Sequence, residues 1–197
     1  MAGHLIAFEG LDQSGKQTQA ERLRDRLTSL GHTVRLVSFP DYSTHIGDEL
    51  AKALAGEREY GADVMQLLYV ANRYEWKAAL QRMVADGWFV ICDRYLASSV
   101  AYGEAFGLDA GWLADIQRFL PKPSVTIMLD VSPDVAVTRK SVDRDRYERD
   151  LSLQGRVRES YRRLAASENW LLLNGEREKD AIAVDVFTGL ASRLGLP

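Results

Sequence analysis

The stretch GLDQSGKQTQ, residues 10–19, decides how the rest of the chain is read. It follows LIAFE (5–9), a short apolar run, and precedes AERLRDRLTSL (20–30), whose leucines recur at helical spacing. Gly10, Leu11, Asp12, Gln13, Ser14, Gly15 and Lys16 spell G-x-x-x-x-G-K between a buried strand and a helix. Glycines in such a loop let backbone N–H groups turn inward around phosphate oxygens. The helix start behind them adds partial positive charge, and the lysine reaches the outer phosphates. A glycine-rich turn that merely contains a lysine is the bland alternative, and the flanking strand and helix argue against it. One position departs from the pattern. Gln17 stands where the loop usually carries Ser or Thr, whose hydroxyl ligates Mg²⁺. An amide oxygen there ligates weakly or holds a metal-bound water, and Thr18 comes one residue late and is expected to point elsewhere.

Working outward, apolar runs alternate with helical patterns. The predicted strands are 5–9, 33–39 (TVRLVSF), 88–93 (WFVICD), 124–131 (SVTIMLDV) and 169–174 (NWLLLN). Nearly continuous apolar strands belong to a parallel sheet covered on both faces. Strand–helix alternation then gives a three-layer α/β fold: a five-stranded parallel sheet with helices on both faces. The chain has no repeat, linker or low-complexity segment, so 1–197 reads as a single domain. In such folds ligands bind at the carboxyl ends of the strands. That rule points to 10–16, 40–42, 93–95, the segment after Val131, and 174–179.

Composition narrows the class. The chain is 46% hydrophobic and 27% charged with a net charge of -3, so any basic site is local. One cysteine, Cys92, excludes an intramolecular disulfide and reads as a buried apolar residue. The three histidines lack metal-ligand spacing. No apolar run reaches the roughly 18 residues of a membrane span, and the N-terminus has no signal-peptide core, so a cytoplasmic enzyme is expected.

Further residues on the ligand edge carry charge. Asp93, at the end of the third predicted strand, stands where a carboxylate holds Mg²⁺ through a water. Arg94 beside it can fork onto a phosphate, against the plain reading of a strand-end salt bridge. Tyr69 and Arg73 are four apart on a predicted helix and share a face. A ring beside a guanidinium suits a nucleobase, although packing plus a snorkelling neighbour is the commoner meaning. The run TRKSVDRDRYERD (138–150) holds Arg139, Lys140, Arg144, Arg146 and Arg149 among Asp143, Asp145, Glu148 and Asp150. Such a run is usually a solvated face; placed after the fourth strand, it suits a lid that closes over phosphates and excludes water.

Taken together, FEGLDQSGKQTQ, FPDYST with IG after it, LLYVANRYEW, DRYLASSVAYG, LPKPSVTIMLDV and DRYERD resemble the thymidylate kinase family, P-loop kinases of the nucleoside monophosphate group. The resemblance covers nearly the whole chain and implies phosphoryl transfer from ATP to dTMP with Mg²⁺, in a homodimer whose contact uses long helices from 62–86 and 95–118. It implies a P-loop kinase fold with a short lid at about 138–150. It places residues Gly10 to Thr18 on ATP. It puts Asp12 near the dTMP sugar and phosphate, Phe39 in the pocket wall, and Tyr42 and Arg94 at the acceptor phosphate. Tyr69 would stack on thymine, Arg73 bond its O4, Ser98 approach its N3 edge, and Tyr102 crowd the 2′ position. Gln154 is a further contact, and 174–179 would lie near adenine. Some members carry a basic residue at the place of Gln13; here it is neutral, which assigns charge stabilisation to the lid arginines Arg139, Arg144 and Arg146. Competing readings are another P-loop kinase, acting on a different monophosphate or a deoxynucleoside, and a nucleotide-binding module without catalysis, which Gln17 would favour.

Overall fold

The computed structural model describes residues 2–139, 150–168 and 170–196. Five strands form one parallel sheet in the order β2-β3-β1-β4-β5: β1 (His4–Glu9), β2 (Val34–Ser38), β3 (Phe89–Asp93), β4 (Val125–Asp130) and β5 (Leu171–Asn174). Each predicted strand is present, trimmed or shifted by one or two residues at its ends. The last loses most at its start, because the Trp170 N–H closes onto the Ala165 carbonyl at 3.2 Å before pairing begins. The three inner strands are buried almost throughout, as residues facing helices on both sides must be, whereas β5 at the edge alternates in exposure.

The helices among the described residues are α1 (Lys16–Ser29), α2 (His45–Leu54), α3 (Ala62–Ala85), α4 (Leu96–Ala105), α5 (Ala110–Asp115), α6 (Pro133–Arg139), α7 (Leu151–Glu168) and α8 (Lys179–Leu194). On one face α1 and α8 bury Leu23, Leu27, Ile182, Val186 and Leu190 against Ile6, Phe8, Ile91, Ile127 and Leu129. Each such side chain stabilises the fold by about 1.5–3 kcal/mol on burial. On the other face Leu80 packs on Leu5, Val90, Cys92 and Tyr95. Beside them Ala97, Ala101 and Ala105 of α4 meet Leu153, Val157 and Tyr161 of α7. Small residues along α4 let α7 approach closely.

One expectation is corrected. Residues 62–86 do form one long helix, but 95–118 does not. It breaks after α4, where Gly107 takes φ 86, a left-handed conformation that stops the helix before α5 begins.

The sheet order places the site. Chain connections run from β1 to one side of the sheet through β2 and β3, then to the other side through β4. The direction reverses at β1, and a crevice opens above its carboxyl end. Phe8 lies level with Asp93, and Glu9 with Met128, so Gly10 and Arg94 leave the sheet side by side.

Candidate functional site

The loop after β1 is held open by its backbone. Gly10 and Gly15 take φ 137 and 94, where side chains are disfavoured, and a Cβ on Gly10 would stand 2.6 Å from the Leu129 carbonyl oxygen. Gln13 also has positive φ, at 61. Gly15 caps α1 without a side-chain hydrogen bond, so the first N–H groups of the helix are not satisfied by a capping side chain. Lys16 is buried, and its Nζ donates to the Leu11 carbonyl at 2.7 Å. Burial, and then the nearby Arg94 charge, push its ammonium down to about 8.

Two clefts open from this loop. A loop cleft of about 880 Å³ is lined by Asp12 through Gln19, Asp93, Arg139 and 175–179. A side cleft of about 460 Å³ is lined by Tyr69, Arg73, Ser98, Tyr102 and Gln66 among others. Asp12, Phe39, Pro40, Tyr42 and Arg94 line both. Gly10 and Leu11 sit behind the loop cleft, accepting from Arg94 and Lys16 through their carbonyls.

Arg94 stands at the junction with φ 64, a conformation that a non-glycine residue keeps only where its surroundings fix it. Its Nη2 donates to Asp12 Oδ1 at 2.6 Å, and its Nη1 to the Gly10 carbonyl at 3.1 Å and to Ser98 Oγ and Tyr161 Oη at 3.2 Å. Tyr102 Oη donates to the other Asp12 oxygen at 2.8 Å. Burial works against the Asp12 charge, but Arg94 and Lys16 outweigh it and hold the carboxyl well below its usual range. Burial likewise opposes the Arg94 charge, and Asp12 more than offsets it.

Beneath Arg94 lies a carboxylate that sequence reasoning missed. Glu9, fully buried, accepts from the Tyr95 N–H at 2.9 Å, from Ser98 Oγ at 2.7 Å and from Tyr161 Oη at 3.2 Å. Ser98 was expected at a base edge. It lines the side cleft and gives its single proton to Glu9, while the neighbouring Ser99 accepts from Arg73 Nη1 at 2.6 Å. Asn72 was also missed: its amide oxygen accepts the Asp41 N–H at 2.8 Å, and its nitrogen donates to the Asp41 carbonyl and Thr44, fastening the loop that carries Tyr42 to α3.

The remaining predicted residues distribute unevenly. Gln17 lines the loop cleft, yet its amide donates to Glu21 at 3.0 Å on the exposed side of α1. Thr18, expected to point elsewhere, also lines this cleft. Arg139 donates to the Gln13 and Gly175 carbonyls at 3.1 and 2.8 Å, bridging two walls of the loop cleft. Arg144 and Arg146 lie outside the described residues. Gln154 is buried on α7, next to Leu153, which lines the side cleft. Asn174 closes the turn after β5 by accepting the Glu176 N–H at 2.9 Å. No group of three or more metal-ligating side chains occurs among the described residues, and no described helix is long and apolar enough to cross a membrane.

Among the described residues, the buried side-chain polar atoms without a hydrogen-bond partner are Ser14 Oγ, Gln19 Oε1, Gln66 Oε1, Arg73 Nε and Asp93 Oδ1. Every one belongs to a residue lining one of the two clefts. Buried polar groups are normally paired, and here the exceptions gather where ligands would bind.

A phosphate-binding loop at a switch point, with a second cleft joined to it through one arginine, defines a P-loop kinase that brings two phosphorylated ligands together. The thymidylate kinase family model matches residues 8–186. A thymidylate kinase from Schizosaccharomyces pombe is 38% identical over 82% of this chain and 77% of its own length. One from Plasmodium falciparum is 33% identical over 93% and 88%. The solved thymidylate kinase from Candida albicans, whose description reports broad substrate specificity, superposes with a TM-score of 0.85 at 27% identity over 100% of this chain and 94% of that one. The chain belongs to the thymidylate kinase family, and it transfers a phosphoryl group from ATP to dTMP, giving dTDP and ADP.

Proposed function

We propose that the loop cleft holds ATP, that the side cleft holds dTMP, and that Arg94 holds the acceptor phosphate where the two meet. The observation that carries this is the shared lining: Asp12, Phe39, Pro40, Tyr42 and Arg94 belong to both clefts, and Arg94 is the cation among them. Lys16 and Arg139 bind the donor phosphates. Tyr69 stacks on the base and Arg73 bonds its O4. Asp12 and Tyr102 orient Arg94 and flank the sugar. Phe39 and Tyr42 close the wall between the clefts, with Gln154 supporting the far side.

The attacking atom is a phosphate oxygen, already largely ionised at neutral pH because its second pKa is ~6. No strong general base is needed. The barrier is the approach of two polyanions, so catalysis is positioning and charge neutralisation. Arg94 reaches the acceptor already charged and already fixed by Asp12, which spares reorganisation during transfer. Arg139, which bridges two walls of the loop cleft, neutralises charge on the transferring phosphoryl group, with Arg144 and Arg146 as further candidates, and an arginine acting this way is worth ~10³–10⁵ in rate. Asp93 fits Mg²⁺: one carboxylate oxygen is buried without a partner in the loop cleft. Asp93 would hold the ion through water, with Gln17 nearby, and the ion when bound neutralises phosphate charge.

The same reading takes 1–197 as one domain, cytoplasmic, and paired as a homodimer through α3, where Val64 and Leu67 are exposed, and the 95–118 region. The test is ADP formation with ATP, Mg²⁺ and a panel of dTMP, dUMP, dCMP, dGMP and thymidine, on wild type and Tyr69→Ala. Preference for dTMP, lost in the variant with the ATP KM unchanged, is the expected result. A variant that keeps its dTMP KM overturns the assignment of the side cleft.

A further inference from the structure

Of the five unpartnered polar atoms, three belong to residues already assigned to phosphate, base or metal. Gln66 does not. It lies on α3 three residues before Tyr69 and seven before Arg73, so the three share one face. It lines the side cleft, is only 3% exposed, and its Oε1 has no hydrogen-bond partner. The neighbours lining that end are Leu54, Ala62 and Met65, all apolar, and the Tyr60 hydroxyl is committed to Glu49 at 2.6 Å. Among the described residues no protein group answers this oxygen, and a buried polar atom left unpaired is destabilising.

We propose that Gln66 is a specificity residue for the phosphate acceptor, its carboxamide pairing with the N3–H and O2 half of a pyrimidine base. This rests on reading the side cleft as the acceptor site. Seven residues of helix separate Gln66 from Arg73 by about 10.5 Å along the axis, with Tyr69 between them. A ring stacked on Tyr69 therefore presents the two ends of its hydrogen-bonding edge to them. Arg73 has only donors and suits the lone O4 carbonyl. The rest of the hydrogen-bonding edge is one donor, N3–H, beside one acceptor, O2. A carboxamide supplies the matching acceptor and donor. Ser98 does not compete for N3–H, since its oxygen already accepts from Arg94 Nη1 at 3.2 Å and lies 2.8 Å from Tyr161 Oη, while its proton goes to Glu9. Cytosine, whose N3 carries no proton, would face Oε1 acceptor to acceptor, whereas uracil presents the same edge as thymine. Gln66 thus rejects one pyrimidine and tolerates the other.

The experiment compares wild type with Gln66→Met, similar in length but unable to make these bonds, using dTMP and N3-methyl-dTMP. Tyr69→Ala runs in parallel. The variant is expected to raise the dTMP KM about ten-fold, with the ATP KM unchanged, as for loss of a hydrogen bond to a buried group. N3-methylation is expected to cost wild type a similar factor and Gln66→Met nothing. If Gln66→Met does not fold, Gln66→Glu serves: it keeps the acceptor and loses the donors, so dTMP binding weakens while the N3-methyl penalty persists. An unchanged dTMP KM at Gln66, with binding lost in Tyr69→Ala, overturns the inference alone. Unchanged values in both overturn the assignment of the cleft.

Discussion

Arg94 and Asp12, 82 positions apart in the chain, form an ion pair at 2.6 Å across the junction of the two clefts. The pair is partly screened from water on both sides, and each partner holds the other charged against the cost of burial. Arg94→Ala removes the cation from the acceptor side and leaves a carboxylate facing the incoming phosphate. The kcat/KM for dTMP should fall on the order of 100-fold, from loss of charge-assisted hydrogen bonds. Kinetics within two-fold of wild type would take Arg94 out of the acceptor site.

Glu9 supports that arginine from below. With one oxygen on the Tyr95 N–H and the other on Ser98 and Tyr161, it uses acceptor capacity that an amide does not have. Glu9→Gln sets an N–H against one of these donors. A cost of about 1–3 kcal/mol is expected for the mismatched buried group, or roughly 3–10 °C in Tm for a chain of this size. The dTMP KM should rise at 25 °C, where the variant is still folded, because Ser98 and Tyr161 lose the orientation in which they accept from Arg94. A Tm drop without a KM change would restrict Glu9 to holding the fold.

Glu9 also marks the limit of what the sequence discloses. Gly10, Lys16, Asp93 and Arg94 were legible because each closes or follows a strand with an unmistakable apolar run, and sheet physics sends ligands to strand ends. Asp93 and Arg94 needed nothing more than that rule. Tyr161 sits in the middle of α7, 152 residues from Glu9, and nothing local distinguishes it from a packing residue. Glu9 had a signal that went unused: a carboxylate closing a buried strand requires partners. The Ser98 and Ser99 pair was ambiguous for a different reason. Adjacent serines on a helix point about 100° apart, and which faces Arg73 depends on how α4 is rotated by its packing on α7.

Lys16 makes the site sensitive to pH on the alkaline side. Its ammonium is pushed down to about 8 from 10.5, chiefly by burial. Between these values the unfolded chain keeps the proton and the folded one loses it. The unfolded state then binds more protons, so the Lys16 contribution to stability rises with pH across that window. Below about 8 both states are charged and the burial cost is fully present. Bound phosphates reverse the preference and recharge the amine. Titration of ATP at pH 9 in buffers of different ionisation enthalpy should therefore show uptake approaching ~1 proton per site. Lys16→Met should abolish it, and absence of uptake in wild type would mean that Lys16 does not face the phosphates.

Gln17 is the one position where the loop departs from its usual chemistry. Its amide is drawn to Glu21 on the exposed side of α1, so the metal is left to Asp93, whose buried oxygen lacks a partner, and to water. A hydroxyl at position 17 would be short enough to stay at the loop and add a direct oxygen ligand, and Mg²⁺ favours such hard oxygen donors in a near-octahedral shell. Gln17→Thr should therefore lower the Mg²⁺ concentration giving half-maximal activity by about three- to ten-fold, one added ligand's worth of affinity. Gln17→Ala should leave that concentration where it is, since the amide is engaged elsewhere. The discriminating measurement is a Mg²⁺ titration of ADP formation at saturating ATP and dTMP for all three proteins. A weaker Mg²⁺ response in Gln17→Ala would show instead that the glutamine itself turns inward and serves the ion when ATP is bound.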